Sequence, residues 1–172
     1  MKHSYIITTD RLRFRQIEPG DLECVRIWRN NDLTRKWFLD NSIITPEQQL
    51  IWYKNYIDNN RDIMFIIEEM VNINAPIGTI ALYNIDTDRQ TTDAGRLMIG
   101  NPEVRNRGFG LESLKAMCDF AFYQLGIKKI RCEVFEDNFS SMKMSKNAGF
   151  KIIDTYFKNG DKVIVIELVC NS

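Results

Sequence analysis

The chain has 172 residues, of which 44% are hydrophobic and 27% charged, with 23 basic and 23 acidic side chains. This length suits a core that needs no disulfides or metals, so we predict a single domain over residues 1–172. The balanced charge argues against a nucleic-acid or membrane partner. Apolar runs fall short of the about 18 residues that cross a bilayer, and the N-terminus lacks a signal-peptide core, so we expect a cytoplasmic protein.

The positions of histidine and cysteine exclude several kinds of chemistry. Cys24, Cys118, Cys132 and Cys170 lie far apart, with no CxxC pair and no histidine nearby, so we predict buried free thiols and no metal site. The only histidine, His3, lies in a terminus that we expect to fray, which argues against Ser-His, Cys-His and His-metal sites. Proton transfer must then use carboxylates, tyrosines or water.

The first third of the chain predicts one strand and two helices. "RLRFRQI", from Arg11 to Ile17, alternates polar and apolar residues as a strand does. Asp21 can cap a first helix. A second helix should start at "TPEQQL", because Thr45, Pro46 and Gln48 form a capping-box pattern. Between the helices lies a segment rich in aromatic and cationic residues.

The rest of the chain predicts strands and helices in mixed order. "IMFIIEE", "PIGTIALYNI" and "RLMIG" read as neighbouring strands, with the loop "DTDRQTTDAG" before the third. A long helix should follow Gly110 and end at Gly126. "KIRCEVFE" predicts a strand, "FSSMKMSKNA" a short helix that stops at Gly149, and "FKIIDTYF" and "KVIVIELV" a hairpin on "KNGD". This order predicts a mixed α/β (α+β) fold without a uniformly parallel sheet.

The corner "NPEVRNRGFG" has the composition of an anion site. Arg105, Gly108 and Gly110 form R-x-x-G-x-G between a strand and a helix. Glycine lets the backbone approach a ligand, and the first amides of the helix lack intrahelical partners, so they can bind a phosphate. The GK[ST] ending of a Walker loop is missing, and the glycine spacing differs from the G-x-G-x-x-G of dinucleotide folds.

The corner and two later segments resemble the acetyl-CoA-binding core of the GNAT superfamily of N-acetyltransferases, particularly its ribosomal-protein-acetyltransferase-like branch. These segments are "RNRGFG" before a long helix, "IRCEVFEDN", and "NFSSMKMSKNAGF". The resemblance implies a mostly antiparallel sheet with splayed central strands, flanked by helices. It also implies acetyl transfer from acetyl-CoA to a primary amine in a ternary complex, without a metal.

The resemblance also implies a set of cofactor-binding residues. Amides of Arg105, Asn106, Arg107, Gly108, Phe109 and Gly110 would hold the pyrophosphate of the cofactor. The strand from Arg96 to Ile99 would present backbone groups to the pantetheine arm and diverge from Cys132–Phe135, opening a wedge for the acetyl group. An amide near Met98 or Ile99 would stabilise the oxyanion, and Asn138 and Ser141 would bind the cofactor arm. The alternative for Asn138 is a turn-forming role at a strand end.

The proton-transfer groups are less clear from the sequence. The family commonly has a tyrosine acid four residues before the "GF" glycine, and this position is Ser145 here, a poor proton donor. Tyr156, Ser141 or solvent are alternatives, as is catalysis without a dedicated acid. Glu133 is the first candidate for the base, unless it pairs with Arg131, Arg96 or a lysine. Asp86 and Asp93 are alternatives.

The segment between the first two helices is expected to shape the acceptor pocket. Trp28, Arg29, Asn30 and Trp37 suit a planar base and phosphates, unless both tryptophans pack into the core. "WRN", "GRLMIG" and "EVFEDN" resemble the branch that acetylates nucleotide-linked amino sugars. Protein N-termini as acceptors, or a non-catalytic acyl-CoA sensor, are the alternatives. Exposed aromatic residues could also form a homodimer face.

Overall fold

One mixed sheet of eight strands, with helices on both faces, forms the fold in the computed structural model, which describes residues 2–170. The strands are β1 (Ile7–Thr8), β2 (Leu12–Gln16), β3 (Asp62–Glu69), β4 (Ala75–Asp86), β5 (Thr91–Ile99), β6 (Lys129–Phe135), β7 (Lys151–Lys158) and β8 (Asp161–Val169). The α-helices are α1 (Leu22–Asn30), α2 (Asp32–Arg35), α3 (Pro46–Asp58), α4 (Phe109–Tyr123) and α5 (Phe139–Asn147).

The sheet has the order β1-β2-β3-β4-β5-β6-β8-β7. Every neighbouring pair is antiparallel except β5 and β6, which are parallel. The predicted fold class, a mostly antiparallel mixed sheet flanked by helices, is therefore confirmed.

The two parallel strands separate soon after they begin. Thr91–Asp93 pairs with Lys129–Arg131, and no further pairing joins β5 to β6. Beyond this point β5 stays bonded to β4 as far as Ile99, and β6 stays bonded to β8 as far as Phe135. The sheet thus opens between them into the wedge that the family resemblance implies. Unpaired backbone groups of both strands face this gap.

Separate apolar clusters cover the two faces of the sheet. On one face, α4 packs on the sheet through residues such as Met117 and Phe120, both almost fully buried. On the other face, α1 and α3 pack through Val25 and Tyr56 against Met98 and its neighbours.

Local signals predict most element boundaries. Thr45 and Gln48 form the predicted capping box at the start of α3. The β7–β8 hairpin turns at Asn159 and Gly160, both with positive φ, as its Asn-Gly sequence predicts. The structure adds the short elements β1 and α2, which the sequence pattern does not predict.

Several predictions were wrong in detail, among them that all four cysteines are buried, because Cys24 is exposed and Cys170 is only partly buried. The segment from Thr91 to Gly95 is part of β5 and not a loop, because it pairs with β4. Helix α4 begins at Phe109 and ends at Tyr123, two residues earlier at its start and short of the predicted end. His3 is not frayed: its ring packs on Phe65 at a centroid distance of 4.7 Å, and burial lowers its pKa.

Candidate active site

The loop between β5 and α4 forms an open groove beside the helix start. A cavity of about 620 Å³, hereafter the cofactor groove, is lined by Leu97, Ile99, Arg105, Asn106, Gly108 and Gly110, among others. Asn106 and Gly108 have positive φ values of 61° and 81°. The first hydrogen bond of α4 runs from the Glu112 amide to the Gly108 carbonyl. The amides before Glu112 are therefore available to an anion, and the helix dipole favours negative charge there.

Arg11, which lies just before β2, holds this loop in place. Arg11 donates to the carbonyl of Arg107 at 3.1 Å and forms an ion pair with Glu112 at 2.5 Å. Its guanidinium also lies 4.5 Å from the ring centroid of Phe109. The sequence presents Arg11 only as the start of a strand, so this contact, which joins residues about a hundred positions apart, could not be predicted. Phe109 itself is buried, whereas Arg107 is exposed.

The β5 edge of the wedge contains a β-bulge at Arg96. Thr79 pairs with Met98, but Ala81 pairs with Gly95, so Ile80 of β4 faces two residues of β5. Arg96 adopts a left-handed φ of 49°, which costs an L-residue ~1–2 kcal/mol. Its side chain forms two 2.8 Å hydrogen bonds from Nη1 to the carboxylate of buried Asp62. This buried ion pair holds the bulge in place.

Hydrogen-bond register decides which amides face the wedge. Gly100 donates to the Ile77 carbonyl at 2.8 Å, so opposed residues two steps along, Thr79 and Met98, also form a hydrogen-bonded pair. The Met98 amide is therefore directed at β4. The amides of the alternate residues, Leu97 and Ile99, are directed at the wedge. Of the two amides predicted near this point as oxyanion donors, that of Met98 is directed at β4 and that of Ile99 at the wedge, where the Leu97 amide is also directed.

A hydroxyl group reinforces the orientation of the Leu97 amide. Thr79 is completely buried, and its Oγ1 donates to the Arg96 carbonyl at 2.8 Å. In a trans peptide the carbonyl and the following amide point in opposite directions. Because the Arg96 carbonyl faces β4, the Leu97 amide faces β6 and the wedge. No feature of the sequence distinguishes Thr79 from other threonines, since threonine is common in strands.

The predicted base, Glu133, lies at the wedge without its alternative partners. A cavity of about 300 Å³, hereafter the wedge cavity, is lined by Tyr83, Arg96, Leu97, Cys132, Glu133 and Ser145, among others. Arg131 pairs with Glu167 at 3.0 Å, and Arg96 pairs with Asp62. Burial and a hydrogen bond to Glu133 raise the pKa of Tyr156. The exposed carboxylate of Glu133 thus has Tyr156 as a neighbour and forms no ion pair within residues 2–170.

The two alternative bases are less well placed. Asp86 lies 3.6 Å from Arg61 and 3.8 Å from Arg89 at the far end of β4, away from the wedge cavity. Asp93 accepts a 2.7 Å hydrogen bond from Asn84. Neither aspartate lines the wedge cavity. Geometry therefore favours Glu133 among the three carboxylates.

Tyr83 is a wedge residue that the sequence analysis did not identify. Its hydroxyl lies directly over Gly95, where an added Cβ would come within 2.8 Å of that oxygen. Burial raises the pKa of Tyr83 well above its ordinary value, so the phenol stays neutral. The sequence analysis could not use Gly95 as a signal for this close approach, because it assigned Gly95 to a loop and not to a strand.

The polar residues of α5 lie between the wedge cavity and the cofactor groove. Asn138 and Ser141 line both cavities. Asn138 caps α5 by accepting from the Ser141 amide at 3.1 Å, which is the alternative, turn-forming role. Its carboxamide nitrogen is still available to a cofactor. Ser145 lines the wedge cavity and is only 3% exposed, so its hydroxyl has little direct access to bulk water.

Side chains of α1 and α2 bind the carbonyls of the loop before α3. Arg29 Nη2 donates to the Asp40 carbonyl, and Arg35 Nη1 donates to the Asn41 carbonyl at 2.8 Å. Asn30 forms hydrogen bonds of 2.8 and 2.9 Å with the carbonyl and amide of Ile44. The carboxamide of Asn30 is therefore occupied in positioning this loop.

Arg29 retains an unused donor at the wedge. Its guanidinium lies over the Phe38 ring, 3.9 Å from the centroid, and lines the wedge cavity. Among residues 2–170, no acceptor lies within hydrogen-bonding distance of its buried Nη1 atom. Burial lowers the pKa of this guanidinium, although it remains charged.

The two tryptophans of this region have different positions. Trp37 lines both the wedge cavity and the cofactor groove. Trp28 packs on the backbone of Gly100, where an added Cβ would come within 2.1 Å of the indole, and it lines neither cavity. The packing alternative thus applies to Trp28, because a glycine at the end of β5 leaves room for its ring.

Residues 2–170 contain neither a cluster of metal-ligating side chains nor a helix that could span a membrane. No three His, Cys, Asp or Glu side chains within residues 2–170 are arranged to hold a metal ion. None of the helices in this range is long and apolar enough to cross a membrane.

Comparison with known proteins identifies the family. The model of the acetyltransferase (GNAT) domain matches residues 11–151. An uncharacterized N-acetyltransferase, YoaA of Bacillus subtilis, is 29% identical over 149 residues, or 85% of this chain and 82% of the relative. The spermidine N(1)-acetyltransferase of Vibrio cholerae is 23% identical over 155 residues, 87% of each protein.

The fold has a close structural counterpart. A crystal structure of spermidine N-acetyltransferase from Vibrio cholerae, in complex with CoA and spermine, superimposes with a TM-score of 0.84 at 21% identity. The match covers 94% of this chain and 96% of that one. The chain belongs to the acetyltransferase (GNAT) domain family and is an acetyl-CoA-dependent N-acetyltransferase.

Proposed function

We propose that the protein acetylates the primary amine of a small acceptor that carries an anionic group, of the nucleotide-linked amino-sugar class. The observation that supports this acceptor is the buried, unpartnered Nη1 of Arg29 beside the wedge. A buried donor without a partner costs about 1–3 kcal/mol, which a bound anion would offset with a charge-assisted hydrogen bond.

The reaction proceeds by direct attack of the amine on acetyl-CoA. The cofactor groove and the wedge cavity share Trp37, Leu97, Asn138 and Ser141, so both substrates can meet there. Cys132 lines the wedge, but burial raises the pKa of its thiol strongly, so it is not a thiolate that could accept the acetyl group. A ternary complex therefore fits this site better than a covalent acetyl-enzyme.

Each step of the transfer has a candidate group in the wedge. Amides of Leu97 and Ile99 would stabilise the tetrahedral oxyanion, which commonly contributes about 3 kcal/mol for each donor. Glu133 would accept a proton from the attacking amine. The CoA thiolate then leaves and takes a proton from water or from the Ser145 hydroxyl through water.

The amides of Arg105 to Gly110 would hold the pyrophosphate, and Arg105 lies beside this groove with its Nε 3.4 Å from the Ile99 carbonyl. Asn138 and Ser141 would contact the pantetheine arm, and Trp37 would close the mouth between the two cavities. In this proposal Trp28 and Asn30 position the acceptor segment and do not themselves bind the acceptor.

A polyamine is the second candidate acceptor. The Vibrio cholerae relative is named for spermidine, and Asp40 and Glu133 line the wedge cavity of this chain. Carboxylates favour a polycation, whereas the free donor of Arg29 opposes one. The two candidates therefore make opposite predictions for removal of the Arg29 charge. Protein N-termini remain a third class to include in assays.

Turnover measurements with a panel of amines test the proposal. CoA release from acetyl-CoA would be followed with amino-sugar nucleotides, spermidine, spermine and N-terminal peptides. Arg29→Ala should raise the acceptor KM about ten-fold or more, with an unchanged KM for acetyl-CoA. Arg35→Ala is the matched control, because Arg35 binds the same loop through Asn41 but does not line the wedge cavity.

Polyamine turnover without turnover of any amino-sugar nucleotide would overturn the proposed acceptor. An equal rise in KM in Arg29→Ala and Arg35→Ala would show that Arg29 acts only by holding the loop.

A further inference from the structure

A second cavity of about 500 Å³ lies beside the wedge, between the sheet and helices α1 and α3. This acceptor-side cavity shares Arg29, Phe38, Asp40 and Arg96 with the wedge cavity, so the two are adjacent. Its size is that of a small-ligand pocket. No residue that binds the cofactor or takes part in the transfer step in the proposed function lines this cavity.

The walls of the acceptor-side cavity are mostly apolar. Val25, Met64 and Met98 contribute aliphatic and thioether surface. Trp52 forms one side, stacked on Tyr56 with ring centroids 5.4 Å apart and an interplanar angle of 15°. Such a surface suits an uncharged and partly planar group rather than a polycation.

The carboxamide of Gln49 is one of the polar groups that line this cavity. Gln49 is only 5% exposed. Its backbone amide donates to the Thr45 carbonyl, and the capping box of α3 uses the neighbouring Gln48. No side-chain hydrogen bond of Gln49 is present within residues 2–170, and its carboxamide is not one of the fully buried unpartnered groups there, so its polar atoms are accessible from the cavity.

A carboxamide is a specific recognition group. It presents a carbonyl acceptor and an NH₂ donor side by side, which is complementary to an amide edge that has a donor beside an acceptor. Arg29, whose buried Nη1 has no partner among residues 2–170, lines both this cavity and the wedge cavity. An acceptor with its amine in the wedge and its anionic group at Arg29 could therefore extend an uncharged amide-bearing part to Gln49.

We propose that Gln49 forms an acceptor subsite that binds an uncharged secondary amide edge of the substrate. This inference rests on the proposed function, since it places a further part of the same anionic acceptor. The imide edge of a uracil-type base has such a donor beside an acceptor and can make both contacts with a glutamine side chain. A trans acetamido group on the sugar points its N–H and C=O in opposite directions, so it can make only one of the two contacts.

A stability measurement separates this role from a structural one. A glutamine that stabilised the fold would lose Tm on replacement by leucine. A glutamine whose partner is the substrate should instead leave the Tm of the free protein unchanged in Gln49→Leu, because no hydrogen bond within residues 2–170 is lost. Gln49→Met is the second variant, since its unbranched side chain fits the same space.

Binding is tested with UDP-N-acetylglucosamine, which lacks a primary amine and so binds without reacting. Isothermal titration of the CoA-loaded wild type should show binding, and both Gln49 variants should raise the Kd about ten-fold or more. UDP-glucose lacks the acetamido group but keeps the base. If UDP-glucose binding is equally sensitive to Gln49, the base occupies the subsite; if it is not, the acetamido group does.

Absence of probe binding to the wild type, an unchanged Kd in both variants, or a fall in Tm with an unchanged Kd would overturn this subsite. Failure of the proposed function looks different: the wild type would bind the probe with Gln49 dependence but release no CoA with any amino-sugar nucleotide. Turnover of an amino-sugar nucleotide with a KM unaffected by Gln49→Leu would overturn only the subsite.

Discussion

Thr79 acts on the wedge through a single hydroxyl group. This side chain has no exposure, and its hydrogen bond to the Arg96 carbonyl keeps the bulged peptide turned so that the Leu97 amide faces the gap. The left-handed φ of Arg96 means that this peptide would relax if its restraints were removed. Loss of the hydroxyl should therefore affect the orientation of an oxyanion donor more than the fold.

We expect Thr79→Val, which keeps the shape of the side chain, to lower kcat about ten-fold or more while the KM for acetyl-CoA changes little. Complete loss of an oxyanion donor costs ~10²–10³ in rate, and a misdirected amide loses part of that. Thr79→Ser keeps the hydroxyl and should retain most of the activity. Steady-state kinetics of both variants are the measurement, and equal losses in the two would argue for a packing effect.

Glu133 should be needed as a base only while the acceptor amine is protonated. Glu133→Gln is expected to lower kcat/KM about a hundred-fold near neutral pH. The difference from wild type should shrink as the pH rises, because an amine that is already deprotonated needs no base. A pH profile of kcat/KM checks this, and a constant ratio at all pH values would exclude Glu133 as the base.

Tyr156→Phe tests the environment of the same carboxylate. The substitution removes the Tyr156 hydroxyl, whose pKa is raised by burial and by the proximity of Glu133, and leaves the carboxylate in place. We expect a shift in the acidic limb of the kcat/KM pH profile and a smaller loss of rate than in Glu133→Gln. An unchanged profile would show that this contact plays no part in proton transfer.

At the level of elements, the junction of β5 and α4 combines a backbone requirement with a ligand requirement. Gly108 is the N-cap of α4 and has a φ of 81°. An added Cβ there would meet no atom closer than 3.7 Å, so backbone conformation alone disfavours other residues. Gly126, after α4, has a similar φ of 68° and open space around it, but it lies outside the cofactor groove.

This pair provides a matched test of the anion site. Gly108→Ala and Gly126→Ala should each lower the free energy of unfolding by about 1 kcal/mol, because an L-residue is strained at positive φ. Only Gly108→Ala should also raise the KM for acetyl-CoA, since only its backbone lies beside the expected pyrophosphate. Chemical denaturation and acetyl-CoA titration measure the two effects. An unchanged KM in Gly108→Ala would move the pyrophosphate site elsewhere.

At the level of the whole molecule, buried acidic groups predict a loss of stability in alkaline solution. Burial raises the pKa of the Cys118 thiol from an ordinary 9.0 to about 12. Burial likewise raises the pKa of Tyr56 from 10.0 to about 12. Each group keeps its proton longer in the folded state, so the stabilisation is complete below the unfolded pKa and is lost as the pH rises through the folded one.

The free energy of unfolding should therefore fall between about pH 9 and pH 12, by up to ~1.4 kcal/mol per pH unit for each such group. Cys118→Ala should be less stable at pH 8 because it leaves a cavity, but its stability should fall less steeply with pH. Denaturant titrations at several pH values measure the slopes. Parallel curves for the two proteins would contradict the shift assigned to this thiol.

Short-range chemistry made much of the fold predictable. The capping residues Thr45 and Gln48, the Asn159–Gly160 turn and the apolar periodicity of α4 act within a few residues, so the sequence shows them directly. The R-x-x-G-x-G corner is local in the same sense, and with the two segments after it this corner predicted the family. The strand over Thr91 to Gly95 was missed because polar residues form it through pairing with β4.

The sequence by itself determined the order of the main elements and the family, since each depends on residues close together in the chain. Only the tertiary structure decided which groups meet at the wedge. Thr79 and Arg96, Glu133 and Tyr156, and Gln49 and its cavity come together through sheet register and helix packing. Such contacts depend on the whole fold, because the direction of one amide or one free donor is set by every strand and helix packed around it.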